Sequence, residues 1–237
     1  DWRGVEELAN LVKRKKRVAL VGYQFRFHPV LKQVAEWLDQ KRIGRLISAH
    51  LFLGEYLPSW HPYEDYRQAH PARKDLGGGV LVTQIHEFDY ALWFFGMPQK
   101  VYAVGGHLSH LEVDVEDCVT VLMHCHYKGR PLPVTIEMDY LQSPPVRGCN
   151  IIGDEGRIDW NFHKDEAILS HRPSGETDLC HFSKLERNDY FTEQLKHFFA
   201  AMEGKVEPKI DLFEGAKSLR IALAARRSIE TGELVIL

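Results

Sequence analysis

The sequence predicts an α+β fold, in which strands and helices occupy separate stretches of the chain. Two observations indicate this fold class. Between Val119 and Asp139, apolar and polar residues alternate on both sides of a turn at Lys128–Pro131, which is typical of a hairpin with one buried face. After Asn188 the apolar residues recur at helical spacing instead.

The composition limits the class of protein. The chain has 237 residues, of which 44% are hydrophobic and 27% charged, with a formal net charge of -3. This length supplies a sizeable core for one large domain or slightly more, and the near-neutral balance predicts no nucleic-acid partner. No apolar run approaches the ~20 residues of a membrane helix, so no membrane is expected. The four cysteines show no CxxC spacing and follow no secretory signal, so we expect a reducing, cytoplasmic setting.

The N-terminal stretch predicts a helix that leads into a buried strand. The apolar positions of this short amphipathic helix are Val5, Leu8, Leu11 and Val12. Arg17–Gly22 is a compact apolar run of the kind that parallel sheets bury, and a helix before such a strand is typical of the end of a βαβ unit. No GxGxxG fingerprint follows a predicted strand, because Gly105–Gly106 and Gly153–Gly156 are better interpreted as turns between strands.

Tyr23–Pro29 forms a junction between this strand and a second helix. Proline suits the first turn of a helix, so the helix is predicted to begin at Pro29 and to end before Gly44. A strand follows at Leu46–Leu53. The buried stripe of the helix is predicted to consist of Leu31, Val34, Ala35 and Leu38.

Gly54–Gly79 is a long loop rich in aromatic and charged residues. Loops of this length are usually functional or disordered, and the aromatic density argues against disorder. Aromatic faces can stack on sugar rings or a nicotinamide, and arginine forks bind carboxylates or phosphates. We interpret the loop as a wall on the substrate side, with a packed structural loop as the alternative. Its candidate residues include Tyr56, Trp60, His61, Tyr63, Tyr66, Arg67, Arg73 and Lys74.

Arg73–Gly96 contains three consecutive glycines followed by a helical pattern. The apolar stripe of the helix consists of Leu81, Ile85, Phe88, Leu92 and Phe95, and the opposite side of Thr83, His86, Glu87 and Tyr90. The helix therefore presents a histidine, a hydroxyl and a phenol to a pocket, directly after a backbone that a ligand can approach closely. A solvated histidine and an ordinary helix entrance are the alternatives.

The remaining strands extend the sheet. They are predicted at Asn150–Ile152, Arg157–Asn161, Ala167–Ser170 and Leu234–Leu237. Paired histidines near these strands could bind a metal together with a carboxylate. They are His107, His110, His124 and His126. Because histidines at such spacing are common on polar strand faces without a metal, no metal site is predicted.

The C-terminal part is predicted to be mainly helical. Asn188 is predicted to cap one helix, which ends at Gly204. Asp211 followed by Glu214 gives a second helix a capping-box-like start, and that helix ends at Gly232. The core stripe of the first helix is predicted to consist of Phe191, Leu195, Phe198, Phe199 and Met202.

Two motifs resemble a known family. Gly77–Asp89 is similar to the pattern GGGxLxDxxHxxD, with Thr83 in place of the acid, and Tyr23–Pro29 contains N/Q-x-R-F-x-P. Together they resemble the glucose-fructose oxidoreductase / inositol dehydrogenase / MocA family of nicotinamide-dependent dehydrogenases. The resemblance implies a large, mostly antiparallel open sheet with helices packed on one face, as in dihydrodipicolinate-reductase-like C-terminal domains. Residues 1–23 would be the C-terminal remnant of a dinucleotide-binding Rossmann domain, and residues 24–237 the α/β substrate-binding and oligomerisation domain.

The resemblance also implies an activity for the full-length protein. It would be an NAD(P)-dependent dehydrogenase acting on a secondary alcohol of a sugar, sugar acid or cyclitol, with this chain as the substrate half. The catalytic candidates are His86, Thr83 and Asp89. The substrate-binding candidates are Tyr23, Arg26, Trp60, Tyr66, Arg73, Lys74 and Tyr90, and the cofactor-binding candidates are Gln24, Gly78 and Gly79.

Some of these roles have stated alternatives. The family's catalytic lysine belongs to an E-K-P motif that has no counterpart here. Thr83 has no charge to orient the imidazole of His86, and our hypothesis is that Asp89 partly substitutes for the acid through an i,i+3 contact. Arg26 could instead only fix the hinge between domains.

The partners follow from the same resemblance. NAD or NADP is expected in the full-length protein, and this chain alone is not expected to bind it tightly. A carbohydrate-like small molecule is the expected substrate, and a homo-oligomer, dimer or tetramer, is expected to form through the sheet face. The alternative function is a redox-silent module that binds a sugar-like ligand or supports oligomerisation, since no phosphate-cradling loop is present.

Overall fold

The computed structural model describes residues 2–237; Asp1, the first residue of the predicted Rossmann remnant, lies outside the described residues. The described chain forms six α-helices and nine strands. The helices are α1 (Trp2–Arg14), α2 (Pro29–Asp39), α3 (Val80–Thr83), α4 (His86–Phe95), α5 (Arg187–Met202) and α6 (Leu212–Thr231). The strands are β1 (Leu46–Gly54), β2 (Lys100–Gly106), β3 (Cys118–Tyr127), β4 (Arg130–Asp139), β5 (Val146–Gly153), β6 (Gly156–Asn161), β7 (Glu166–His171), β8 (Thr177–His181) and β9 (Val235–Ile236).

The strands of the described chain form one sheet, in the order β8-β7-β6-β5-β1-β4-β3-β2-β9. β1 and β4 are parallel, and every other neighbouring pair is antiparallel. Lys128 and Gly129, with φ of 49° and 82°, make the predicted turn between β3 and β4. The α+β fold with a large, mostly antiparallel sheet is therefore confirmed.

One face of the sheet is buried and the other is exposed. The buried face packs against α2, α4 and α6, and its residues Leu51 and Val121 are completely inaccessible to solvent. On the other face, Ile47 and Leu122 are 43% and 45% exposed. The alternation that predicts the strands thus also identifies the side on which the core lies.

The prediction of a strand at Arg17–Gly22 is wrong. This segment joins α1 to a short 3-10 helix at Gln24–Phe27, and it pairs with no strand of the described chain. Val21 N instead donates to Ile210 O at 2.9 Å, which holds the segment beside the start of α6. An apolar run forms a strand only where a neighbouring strand can satisfy its backbone groups.

The single helix predicted after the triple glycine is in fact two helices. Gln84 leaves the helical conformation with φ -104° and ψ 42°, so α3 ends at Thr83 and α4 begins at His86. The polar side predicted for the helix is also wrong, because Glu87 and Tyr90 are completely buried. α4 lies between the sheet and α6, which cover both of its sides.

Helix α5 differs from the prediction at its start and in its apolar stripe. Its N-cap is Glu186 rather than Asn188, in a capping box with Asp189. The predicted core stripe is largely exposed, at 39% for Phe191, 52% for Leu195, 51% for Phe199 and 58% for Met202. α5 packs on the Gln24–Phe27 turn through another side, where Tyr190 is buried. Periodicity predicts an apolar stripe but not which side the rest of the chain covers.

Helix α6 follows the prediction closely. Asp211 accepts a hydrogen bond from Glu214 N at 2.7 Å, and Gly232 ends the helix in the left-handed conformation with φ of 71°. Gly105 and Gly106, predicted as a turn, are instead the last two residues of β2. Close approach of the neighbouring strand β3 leaves no room for a side chain at Gly105.

Candidate functional site

The 3-10 helix at Gln24–Phe27 packs against the first turn of α4 and brings the predicted histidine into a small aromatic cluster. Nε2 of His86 lies 3.4 Å from Nε2 of Gln24. The His86 ring makes edge contacts with Tyr23 and Phe25, with centroids 5.9 Å and 5.1 Å away. In a neutral imidazole with Nε2 unprotonated, the Gln24 amide donates to that nitrogen.

The imidazole of His86 is held in its neutral form. Burial, together with a smaller effect of the positive charge of Arg147, lowers its pKa to about 3. Nδ1 of His86 is buried and has no hydrogen-bond partner among residues 2–237. The predicted departure at Thr83 thus has a physical consequence, since no acid balances the charge that protonation would place here.

Asp89 does not contact His86, so the hypothesis that it orients the imidazole is wrong. Its carboxylate instead binds Arg26, with Nε of Arg26 3.1 Å and 3.0 Å from the two oxygens and Nη2 2.9 Å from Oδ1. Burial raises the pKa of Asp89 to about 6 while Arg26 opposes that rise, so the carboxylate is ionised at pH 7. Glu214 lies 3.6 Å from the same guanidinium.

Arg26 therefore holds the Gln24–Phe27 turn in position. Its side chain is only 7% exposed and bridges α4, through Asp89, to α6, through Glu214. Tyr23 has a similar role, because its hydroxyl donates to Gly215 O at 3.0 Å and burial raises its pKa to about 12. Both residues hold the Gln24–Phe27 turn in place rather than facing the neighbouring cavity.

A cavity of about 410 Å³ lies beside this turn. Gln24 and Phe25 form part of its wall, and both contact His86, which does not itself line the cavity. The wall combines aromatic faces with polar groups, as carbohydrate and cofactor pockets do. Other residues of this wall are Arg147, Phe162, His163, Asp165 and Tyr190.

Arg147 is the residue at this site that the sequence did not reveal. Its Nε lies 2.9 Å from Oε1 of the fully buried Glu87, and Nη2 donates to Gln84 Oε1 at 2.8 Å. Its guanidinium also stacks over Phe25 and Phe162, 5.0 Å and 5.6 Å from the ring centres. A single arginine at the start of a strand carries no local signal, because its partner belongs to a distant helix.

Glu55 of the long loop lines this cavity, but the candidate residues predicted in the loop do not. Trp60 packs edge-on against Tyr140, with centroids 5.4 Å apart, and Tyr66 accepts a hydrogen bond from Glu112 N at 3.2 Å. Arg73 pairs with Asp75 at 2.6 Å. Lys74 borders a different cavity, near Arg226. The contacts of the loop are those of the packed structural loop that was the alternative interpretation.

The three remaining candidates, Gly78, Gly79 and Tyr90, pack against other parts of the chain. A Cβ at Gly78 would lie 2.2 Å from His70 O, and one at Gly79, where φ is 105°, would lie 2.3 Å from Oε1 of Glu116. These glycines thus allow close packing of the backbone against His70 and Glu116, and Gly78 also lines the cavity that Lys74 borders, so their predicted contact with a cofactor stays a prediction. Tyr90 is a core residue whose hydroxyl donates to Glu87 at 3.4 Å, so its predicted contact with substrate is wrong.

His28 is a second histidine that the fold keeps uncharged. It is completely buried, 5.1 Å from the Tyr190 ring, and neither ring nitrogen has a hydrogen-bond partner in the described chain. Burial lowers its pKa to about 4, although Asp165 lies 3.7 Å from Nε2. Unfolded histidine takes up a proton near pH 6.5. The folded state therefore loses stability as the pH falls from about 6.5 towards 4.

Because of this histidine, we expect the free energy of unfolding to fall by about 2 kcal/mol from pH 7 to pH 5, at 1.36 kcal/mol for each pKa unit. His28→Phe, which keeps a ring and removes two unpaired nitrogens, should be more stable than the wild type at pH 5. Urea unfolding at both pH values measures this. His110→Gln, at an exposed histidine, is the control and should keep the wild-type slope. An unchanged slope in His28→Phe would contradict the assignment; His86 contributes in the same window, so some slope remains.

The fold is the α+β fold of oxidoreductase structures. Levoglucosan dehydrogenase, solved in complex with NADH and levoglucosan, aligns with a TM-score of 0.83 at 18% identity over 98% of this chain and 69% of that chain. The chain belongs to the GFO/IDH/MocA C-terminal domain family, whose model matches residues 31–159, more than half of the chain. The resemblance found in the two sequence motifs is thereby confirmed.

Two curated relatives align over most of the chain. Myo-inositol 2-dehydrogenase of Thermotoga maritima is 24% identical over 95% of this chain and 66% of its own length. D-xylose 1-dehydrogenase (NADP(+)) 2 of Haloferax volcanii is 24% identical over 90% of this chain and 63% of its own length. The chain thus spans just under two thirds of these relatives. Within the described residues no helix is long and apolar enough to cross a bilayer.

Proposed function

We propose that the whole protein is an NAD(P)-dependent dehydrogenase that oxidises a secondary alcohol of a sugar, sugar acid or cyclitol, and that this chain supplies the substrate half. The observation that carries the proposal is the neutral imidazole of His86, held by Gln24, which lines a cavity with aromatic and polar walls. The names of the relatives, which include dehydrogenases of inositol and xylose, support the substrate class.

The residues of this chain fit one end of a nicotinamide cofactor. Gln24 borders the cavity with a side-chain amide, the type of group that hydrogen-bonds to a carboxamide. The sequence has no GxGxxG fingerprint to hold the rest of a dinucleotide. We therefore assign the nicotinamide end to Gln24 and the phosphates to the nucleotide-binding domain of the whole protein.

The chemistry that such a cofactor supplies is uptake of a hydride from the carbinol carbon. Side chains of this chain orient the substrate hydroxyl and accept its proton. A substrate hydroxyl that takes the place of the Gln24 amide at Nε2 of His86 donates its hydrogen bond to the imidazole, which orients the alcohol and accepts its proton. Phe162 and Tyr190 offer apolar faces to the C–H side of a sugar ring, and Asp165 accepts hydrogen bonds from its other hydroxyls.

The domain assignment also remains our proposal. Residues 1–23 are the end of the nucleotide-binding domain, and residues 24–237 are the substrate-binding and oligomerisation domain. The exposed apolar stripe of α5, Phe191 to Met202, and the exposed Leu8 and Leu11 of α1 are the surfaces on which that domain would pack. Packing of the nucleotide-binding domain on these surfaces would bury apolar residues that are half exposed in this chain.

The exposed face of the sheet is our proposed contact with a second copy. Tyr102, Val104, Leu122 and Ile152 are 38%, 51%, 45% and 40% exposed on this face, and apolar side chains on an open sheet favour pairing with another protein surface. A homo-oligomer, dimer or tetramer, in the cytoplasm is the assembly that we propose.

One observation favours a second candidate function. Neither Thr83 nor Asp89 supplies a charge to His86, whose pKa is about 3 and whose Nδ1 has no partner in the described chain. Such an imidazole accepts hydrogen bonds but is a weak base. A redox-silent module that binds a sugar-like ligand, without turnover, would use the same cavity.

Two measurements distinguish these functions. Titration of residues 1–237 with NADH, followed by nicotinamide fluorescence, should show no saturation, whereas the whole protein should saturate. The whole protein should then reduce NAD+ or NADP+ when offered inositol, xylose or glucuronate. Tight NADH binding by this chain would show that we have misplaced the cofactor site. Sugar binding by the whole protein without cofactor reduction would favour the redox-silent module.

A further inference from the structure

We propose that a second cavity, at the opposite end of the sheet, binds a phosphate monoester of a small organic molecule. This cavity has a volume of about 490 Å³ and is bordered by Leu46, where β1 begins, and by the turn between β3 and β4. The cavity beside His86 is bordered by Leu53, near the end of β1. At ~3.3 Å for each strand residue the two sites are separated by more than 20 Å, so the second site is independent of the proposed dehydrogenase site.

The charge around this cavity is positive although the whole chain carries -3. The four cations that line it are Lys41, Arg45, Lys128 and Arg130, and the two carboxylates are Asp154 and Glu155. One of the cations is neutralised, because Nε of Arg45 lies 3.3 Å from Asp154 Oδ2.

The other three cations, Lys41, Lys128 and Arg130, line the cavity without an ion pair within residues 2–237. Nζ of Lys128 lies 4.9 Å from the centre of the Tyr127 ring, which lines the same cavity. Three cations line one concave surface, Lys41 after the end of α2 and Lys128 and Arg130 in the β3–β4 hairpin, and together they suit a dianionic group better than a single charge.

The backbone supports a functional role for two of these lysines. Lys41 and Lys128 adopt left-handed conformations with φ of 56° and 49°, where glycine or asparagine is favoured and other residues are strained. Lys41 follows the end of α2, and Lys128 occupies the two-residue turn of a hairpin, both of them positions typical of glycine. Two strained positions thus place lysines at the rim of one cavity.

The remaining walls are apolar and indicate what the phosphate is attached to. Leu46, Tyr127, Pro131 and Leu132 line the cavity between the cations. A free inorganic phosphate would leave these surfaces unused, whereas an organic group on the phosphate covers them and gains the hydrophobic free energy of that burial. The volume lies within the roughly 300–1,000 Å³ of small-molecule sites. An aryl phosphate and a sugar phosphate are both monoesters of the kind that we propose, and the experiment distinguishes the two.

Isothermal titration calorimetry of this chain at low salt tests the proposal with three probes: inorganic phosphate, phenyl phosphate and glucose 6-phosphate. We expect saturable one-to-one binding of at least one monoester, at least threefold tighter than inorganic phosphate. Tighter binding of phenyl phosphate would indicate an aromatic ligand, and of glucose 6-phosphate a sugar. The double variant Lys41→Gly/Lys128→Gly should weaken binding at least tenfold while its thermal midpoint stays at or above the wild-type value.

Lys16→Gly is the matched control for this variant. Lys16 has the same left-handed conformation, with φ of 48°, at the end of α1, and it does not line the cavity. Its replacement removes a cation and relieves the same strain, so the affinity for the monoester should not change. Absence of saturable binding for all three probes would overturn the proposal. Equal binding by the double variant and the wild type, or equal weakening by Lys16→Gly, would also overturn it.

Discussion

Asp89→Asn should lower the free energy of unfolding by about 1 kcal/mol, well below the ~3–5 kcal/mol found when one member of a buried ion pair is removed, because burial, which raises the pKa of Asp89 to about 6, already disfavours the ionised carboxylate. The substitution keeps the shape of the side chain but leaves the guanidinium of Arg26, only 7% exposed, without its carboxylate partner. Glu214, 3.6 Å from the same group, offsets part of this loss. Urea unfolding followed by tryptophan fluorescence measures the change.

Two further variants test this explanation. Asp75→Asn removes the partner of an exposed arginine, Arg73, and should leave the unfolding free energy unchanged within error. Replacing both members, as Arg26→Met with Asp89→Leu, should recover most of the loss, because no buried charge then remains. A neutral effect of Asp89→Asn would mean that the pair does not fix the turn to α4.

The strands and helices that sequence analysis predicted correctly carry their signals locally. The hairpin of β3 and β4 has strict alternation and a glycine in its turn, and Asp211 and Gly232 define both ends of α6. These signals depend on the backbone conformation of a few neighbouring residues, which the sequence determines almost alone. The large, mostly antiparallel sheet with helices on one face was implied by the family resemblance instead.

The errors concern features that depend on distant partners. Arg17–Gly22 has the composition of a strand but no strand beside it in the described chain. The apolar stripe of α5 has the period of a core helix, yet the chain covers a different side. In both cases the pattern was identified correctly, and what it packs against could not be known from one stretch of sequence.

In the candidate site, too, local features were predicted correctly and features that depend on distant partners were not. The two family motifs brought Gln24 and His86 together, as expected, because each motif is local and the fold joins them. The partner of Asp89 was assigned by spacing on one helix, whereas the actual partner, Arg26, lies 63 positions away in sequence. Arg147 was missed for a similar reason, since its role depends on Glu87 in a distant helix. Long-range ion pairs of this kind are decided by burial and not by local sequence.

His86→Ala should lower kcat of the whole protein by a factor of about 10²–10⁴, the usual contribution of a positioned proton-transfer group. KM should change less, because the cavity walls at Phe162 and Tyr190 remain. The substitution removes an imidazole that contacts Gln24, Tyr23 and Phe25, so the unfolding free energy must be measured alongside the steady-state rates. An unchanged kcat in a folded variant would remove His86 from the mechanism and favour the redox-silent alternative.

Gln24→Glu then separates a chemical role of His86 from a structural one. The change is nearly isosteric and places a carboxylate about where the amide now lies, 3.4 Å from Nε2. A neighbouring negative charge stabilises the imidazolium, so the pKa of His86 should rise from about 3. If the neutral imidazole accepts the proton of the alcohol, activity in the variant should begin to fall at a higher pH than in the wild type. A pH profile of kcat that does not move, in a variant whose His86 pKa has risen by NMR titration, would show that the imidazole supports the site without taking part in proton transfer.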